Sequence, residues 1–284
     1  MTQKIIALVD GSIYSESVCD HAAWISGRTD APVELIHVLG RREAPQNTDL
    51  SGSIRLGARS KLLEELAELD AQRAKLINHR GRAILEDARA ILDRDGVNEI
   101  TTRLRHGDIV EAISEIETDA RVIVVGKRGE ASDFAKGHLG SNLERIVRTS
   151  HRPVFVASRA FRPIEKVLVA YDGGTSAMKA VDHIARSPLF QGLAIEVVTV
   201  GADKAEVRKG LEDAKALLNA AGIDAAIRVV DGRPEEVLGK LVETESFDML
   251  VMGAYGHSRI RSLVIGSTTT EMVRSCKVPV LLMR

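Results

Sequence analysis

Three glycines and a run of hydroxyls near the C-terminus are the residues of this chain best suited to hold a phosphate. The stretch GAYGHSRIRSLVIGSTTTEM, Gly253 to Met272, sets glycines at 253, 256 and 266 and follows the last with Ser267, Thr268, Thr269 and Thr270. It comes directly after the apolar run MLVM. Glycines let a backbone take positive φ and approach a ligand with no Cβ in the way. Amides at the start of a following helix are unpaired, and the helix dipole turns its positive end toward the ligand. The hydroxyls both cap that helix and donate to phosphate oxygens. His257, Arg259 and Arg261 lie in the same stretch and add positive charge, although spacing alone does not aim them inward. The spacing is Gly-x2-Gly-x9-Gly-Ser; neither G-x-x-x-x-G-K-[ST] nor, after either first strand, G-x-G-x-x-G occurs.

A second, altered version occurs earlier. GKRGEASDFAKGHLGSNLERI, Gly126 to Ile146, follows the apolar run VIVV, but ten residues separate Gly129 from Gly140, and Asn142 and Leu143 stand where the later stretch has two threonines. One added residue shifts the later amides by a good fraction of a helical turn, and Leu143 replaces a donor.

The chain is in fact written twice. KIIALVDGSIYSESVCDHAA from Lys4 matches KVLVAYDGGTSAMKAVDHIA from Lys166, both reaching Asp-Gly (Asp10-Gly11, Asp172-Gly173) and then Asp-His inside a helical pattern. HGDIVEAISEIETDARVIVVG matches DGRPEEVLGKLVETESFDMLVMG, and RPVFVASR matches VPVLLMR. The offset is 162 residues at the lysines and 127 at Gly126 and Gly253, so the first copy is 35 residues longer in its middle. The extra length falls in a helical segment between VELIHV (33–38) and HGD. Each copy reads as apolar strands alternating with amphipathic helices, which predicts α/β architecture: two tandem five-stranded, mostly parallel, Rossmann-like sheets covered on both faces. Right-handed crossovers then bring Asp172, Val200 and Gly253 to one sheet edge. The expected domains are 1–158, with a helical insertion at about 41–100, and 159–284, joined by the short linker SRAFRPIE.

Composition narrows the classes. A net charge of -1 and aromatic content of 3% argue against nucleic acid and against an anionic membrane surface. Cys19 and Cys276 match no metal or redox spacing, which with the short, quickly polar N-terminus favours a reduced, cytoplasmic setting.

The tandem strand-helix order with this glycine spacing resembles the universal stress protein family over nearly the whole chain, twice, with the insertion outside the likeness. The resemblance implies an ATP-binding stress-response signalling module. Asp172 and Val200 would form the adenosine side, Gly253 and Gly256 the ribose and phosphate path, and Gly266, Ser267, Thr268 and Thr269 the phosphate hold. It implies ATP, with or without Mg, or else ADP or AMP, and pairing of such domains through their last strands, here PVFVAS with PVLLM inside one chain as a pseudo-dimer. A homodimer stays open, as does nucleotide binding by the first copy, where Asp10 and Val38 keep the matching strand ends.

Plainer roles compete. Asp10 and Asp172 also suit simple turns. His21 and His183 read as helix-packing residues, His37 as structural, and Tyr171 as a core or rim aromatic. Leu62, Leu66, Leu69, Arg73 and Leu76 mark one stripe of a helix expected to pack on its own domain or on the neighbouring copy, the other reading being an oligomer or partner surface. No catalytic residue is assigned. An adenine nucleotide α-hydrolase-type enzyme stays open as an alternative, since DGGTSA looks a little like a pyrophosphatase loop but lacks its leading Ser and its Asp. So does a ligand-free dimerisation scaffold, and slow hydrolysis or phosphorylation at Ser267 or a neighbouring threonine is left open.

Overall fold

The apolar, β-branched runs form strands because such side chains fit a sheet buried on both faces. The computed structural model describes residues 3–40, 58–127, 141–254 and 267–284. Its first half runs β1 (Lys4–Leu8), α1 (Ser15–Thr29), β2 (Val33–Leu39), α2 (Ala58–Arg94), β3 (Ile100–His106), α3 (Ile109–Ser114), β4 (Ala120–Gly126), α4 (Ser141–Thr149) and β5 (Val154–Ala157). The second runs β6 (Lys166–Ala170), α5 (Thr175–Arg186), β7 (Ala194–Val200), α6 (Ala205–Ala220), β8 (Ala225–Val230), α7 (Pro234–Thr244), β9 (Met249–Gly253), α8 (Ser267–Ser275) and β10 (Val280–Met283).

One ten-stranded sheet has the order β3-β2-β1-β4-β5-β10-β9-β6-β7-β8. Pairings within each half are parallel, so every connection is a crossover that lays a helix on one face. The halves meet where β5 and β10 pair antiparallel, Val280 opposite Val156 and Leu282 opposite Val154. The last strands therefore do pair within the chain.

Strand side chains alternate between the faces. Ile5, Ala7, Val167 and Val169 pack with α1, α2, α5 and α6, whereas Ile6, Leu8, Leu250 and Met252 pack with α3, α4, α7 and α8. Both layers cross the joint, through Phe155 and Leu281 on one side and Val156 and Leu282 on the other. Cations reinforce it: buried Lys127, just past β4, donates to the Cys276 carbonyl after α8. In return, Arg284 donates to the carbonyls of Arg148 (2.9 Å) and Thr149 (3.2 Å) at the end of α4. Each half thus places a positive charge at the negative end of a helix in the other. Arg28 on α1 adds a bond to the Leu189 carbonyl at 2.7 Å.

α2 corrects one expectation. Its stripe was expected to pack, yet Leu62, Leu69 and Leu76 are 37%, 60% and 69% exposed, while Leu85, Ala88 and Leu92 further along are buried. The reason is length: a helix of 37 residues rises about 55 Å, and strands of this size cover about a third of that. The chain makes its close approach at Gly81, where a Cβ would lie 2.8 Å from Leu104 Cδ1 and 3.1 Å from His37 Cδ2.

Candidate functional site

The sheet order sets where a ligand fits. From β6 the chain moves outward through α5, β7, α6 and β8, then returns across the other face by α7 to β9 on the opposite side of β6. Helices therefore diverge at the carboxyl ends of β6 and β9, leaving a crevice at this switch point. Asp172 lies two residues past β6, Gly253 ends β9, and Val200 ends β7, which pairs with β6. The structure thus brings these three sequence-selected residues to one edge. Ser267, Thr268 and Thr269 open α8 after β9. Gly256 and Gly266, with His257, Arg259 and Arg261, lie outside the described residues.

Asp172 is held locally. Gly173 turns the chain at φ 75°, and the Gly174 N–H donates to Asp172 Oδ1 at 2.8 Å. Asp10 accepts from the Ser12 N–H at 3.0 Å and from the Ser15 hydroxyl at 3.4 Å.

A pair of ties beneath these aspartates escaped sequence reasoning. Thr199 donates its hydroxyl to the Tyr171 carbonyl at 2.7 Å, and at the matching place His37 Nδ1 donates to the Val9 carbonyl at 2.7 Å. Both donors are buried one residue before the residue named at the second strand's end, Val200 or Val38. Each pins the backbone just before the Asp, one with a hydroxyl and one with an imidazole. The chemical mismatch hid the correspondence; their equal distance along the repeat would have revealed it. Tyr171 itself is in the core, and burial together with the neighbouring Asp172 and Asp213 charges holds its phenol above the ordinary range.

Gly253 and Thr269 have structural duties. A Cβ at 253 would fall 2.8 Å from Ser176 Cβ and 3.2 Å from the Ala177 nitrogen, so only glycine lets the first turn of α5 rest on β9. Thr269 is buried and donates its hydroxyl toward the carbonyls of Gly253 (3.2 Å) and Ala254 (3.4 Å). That hydrogen is engaged inside the protein, while Thr268 beside it is half-exposed. Leu143 occupies the corresponding place in α4, buried in the core, so the Thr-to-Leu difference between copies exchanges a polar tie for packing.

The first copy differs over its turn as well. A Cβ on Gly11 (φ 76°) would lie 2.9 Å from Ile84 Cδ1, so α2 lays an apolar side chain over the glycine after Asp10. Among the described residues, no group of three or more His, Cys, Asp or Glu side chains gathers in a way that would hold a metal ion, and no helix is long and apolar enough to cross a membrane.

Comparison with known proteins gives consistent matches. The profile of the universal stress protein family matches residues 1–158 and 201–284. The universal stress protein Slr1230 of Synechocystis is 35% identical, the alignment covering 99% of this chain and 100% of that one. Rv1996 of Mycobacterium tuberculosis, also a universal stress protein, is 24% identical over 99% of this chain and 94% of its own. In fold, the crystal structure of a universal stress protein from Archaeoglobus fulgidus superposes with a TM-score of 0.73 at 18% identity, covering 100% and 99% of the two chains.

Proposed function

The chain belongs to the universal stress protein family, and on that premise we propose that it is an ATP-binding signalling module whose nucleotide site lies in the second half. The observation that carries this reading is the shared sheet edge at the β6–β9 switch point, with Asp172 on one side and the start of α8 on the other. Adenosine lies against Val200 and Asp172, whose carboxylate accepts from a ribose hydroxyl. The phosphates run toward Gly266 and the helix-start amides of Ser267, Thr268 and Thr269, with the α8 dipole favouring their charge. Thr269 contributes its backbone N–H, because its hydroxyl ties down β9. The residues present suit Mg only as an ion carried in with the phosphates. The two units are residues 1–158 and 159–284, and the first serves as structural partner: Ile84 lies over Gly11, and its loop has one residue too many.

Denaturing the purified protein, identifying any released nucleotide and titrating the stripped chain with ATP by calorimetry tests this. One ATP per chain is expected, with Asp172→Ala weakening it about tenfold or more and Asp10→Ala leaving it unchanged. Two sites, or equal sensitivity to both substitutions, would overturn the asymmetry; no binding would overturn the function.

A further inference from the structure

The turn that ends the helix before each copy's third strand is built twice, and only the first version is charged. After α2 the Val97 N–H donates to the Leu92 carbonyl at 3.0 Å and the Gly96 N–H to the Asp93 carbonyl at 3.2 Å, with Gly96 at φ 80°. After α6 the Ile223 N–H donates to the Leu218 carbonyl at 3.0 Å and the Gly222 N–H to the Asn219 carbonyl at 2.9 Å, with Gly222 at φ 79°. Ala220 and Ala221 fill the places of Arg94 and Asp95. The turn itself therefore needs no charge.

In the first copy the charges reach across to α1. Arg94 Nη2 donates to Asp20 Oδ1 at 3.1 Å and to Asp95 Oδ2 at 3.5 Å, Nε donates to Asp95 Oδ1 at 2.9 Å, and Nη1 lies 3.8 Å from Glu16 Oε1. Three carboxylates thus surround one guanidinium, and two of them meet at a single nitrogen. The Asp20 and Asp95 side chains are 20% and 25% exposed, which limits how far water screens their repulsion. Asp95 also stands at the negative end of the α2 dipole. One proton removes the conflict: Asp95, gripped by Nε and Nη2, accepts, and Asp20 donates. Burial, and next to it the hydrogen bond and charge of Asp95, push the Asp20 carboxyl up to about 6 against the pull of Arg94, with Glu16 adding to the rise. The other ionisable group beside the pair is the Cys19 thiol of α1, which is uncharged at neutral pH. In the second copy Asp182, in the place of Asp20, pairs instead with Arg186 of its own helix at 2.8 Å.

We propose that Asp20 and Asp95 hold one proton between them across the α1–α2 contact, making this junction a latch that tightens in acid and slackens when the proton leaves. Because the folded chain keeps the proton to higher pH than the unfolded chain, the contribution is fully present below about pH 4 and lost as pH rises through about 6. Both helices border the Asp10–Gly11 turn, α1 following it and α2 covering it with Ile84. Acid therefore firms the first copy and leaves the matching contact of the second unchanged.

The full chain tests this through carboxyl NMR and amide hydrogen exchange. The Asp20 carboxyl should take up its proton near pH 6 in wild type and in the ordinary carboxylate range, about 4, in Asp95→Asn. Corrected for intrinsic rates, protection of the Val97 amide should rise about threefold or more from about pH 7.5 to about pH 5 relative to the Ile223 amide, which reads whatever titrates elsewhere. Asp95→Asn and Asp20→Asn should each abolish that difference, so either variant suffices if the other does not fold. An Asp20 that titrates at its ordinary value in wild type, Val97 and Ile223 amides that respond alike, or a response that survives either substitution would overturn the proposal.

Discussion

Acid should weaken this fold through His21. The ring lies on α1, fully buried between Phe155 of β5 and Phe161 of the linker, with centroids 5.3 and 5.1 Å away. Nδ1 lies 2.6 Å from the Ser17 carbonyl, which can only accept, so Nδ1 carries the proton and Nε2 is left bare, buried and without a hydrogen-bond partner. Burial lowers the pKa from 6.5 to about 4, outweighing the Ser17 bond that would raise it. A histidine depressed in the folded state contributes stability that is fully present above the unfolded value and lost as pH falls toward the folded one. At 1.36 kcal/mol per unit, about 2 to 3 kcal/mol disappears between about pH 7 and about pH 4.5. Other groups titrate there too. Asp20, raised to about 6 by burial and then by Asp95, acts with the opposite sign, so the quantity to measure is the difference between wild type and His21→Leu. Urea unfolding at the two pH values should show wild type losing about 2 to 3 kcal/mol more than the variant, and NMR of the folded protein should show the His21 imidazole still neutral at about pH 5. A difference within about 0.5 kcal/mol, or a His21 ring titrating near its ordinary value, would refute the reasoning.

Thr199→Val should cost about 1 to 3 kcal/mol in urea unfolding, because it strands the Tyr171 carbonyl in the core, and should also weaken ATP binding by loosening Asp172. Thr199→Ser should restore both, and an unchanged variant would remove the tie from the account. Gly253→Ala should destabilise by about 1 to 3 kcal/mol, since its Cβ meets the Ala177 backbone as well as Ser176, and thermal melts showing no loss would mean that α5 can shift freely. Burial, and next to it the Asp20 charge, pushes the Cys19 thiol up to about 12, so it should resist alkylation at neutral pH until the protein unfolds. Rapid labelling of the native chain would contradict its burial.

The sequence by itself determined the repeat, the strand and helix order, and the sheet edge on which Asp172, Val200 and Gly253 meet. Periodicity and internal similarity are local properties of the chain, and crossover handedness allows few ways to assemble them. The joining of β5 to β10 was also legible, through the family likeness, although its antiparallel direction was not. Tertiary structure decided what each residue does there. Gly253 also gives clearance for α5, and the Thr269 hydroxyl also ties α8 to β9. Neither role is visible in a string, because both depend on a helix arriving from elsewhere in the chain to within van der Waals contact. The match between Thr199 and His37, the latter read only as structural, stayed hidden because geometry needs only a donor at that point and accepts a hydroxyl or an imidazole alike. The α2 stripe shows the converse: periodicity announced an apolar face, but whether a neighbour covers it depends on how far the sheet extends beneath the helix, and that is set by the folded lengths of both.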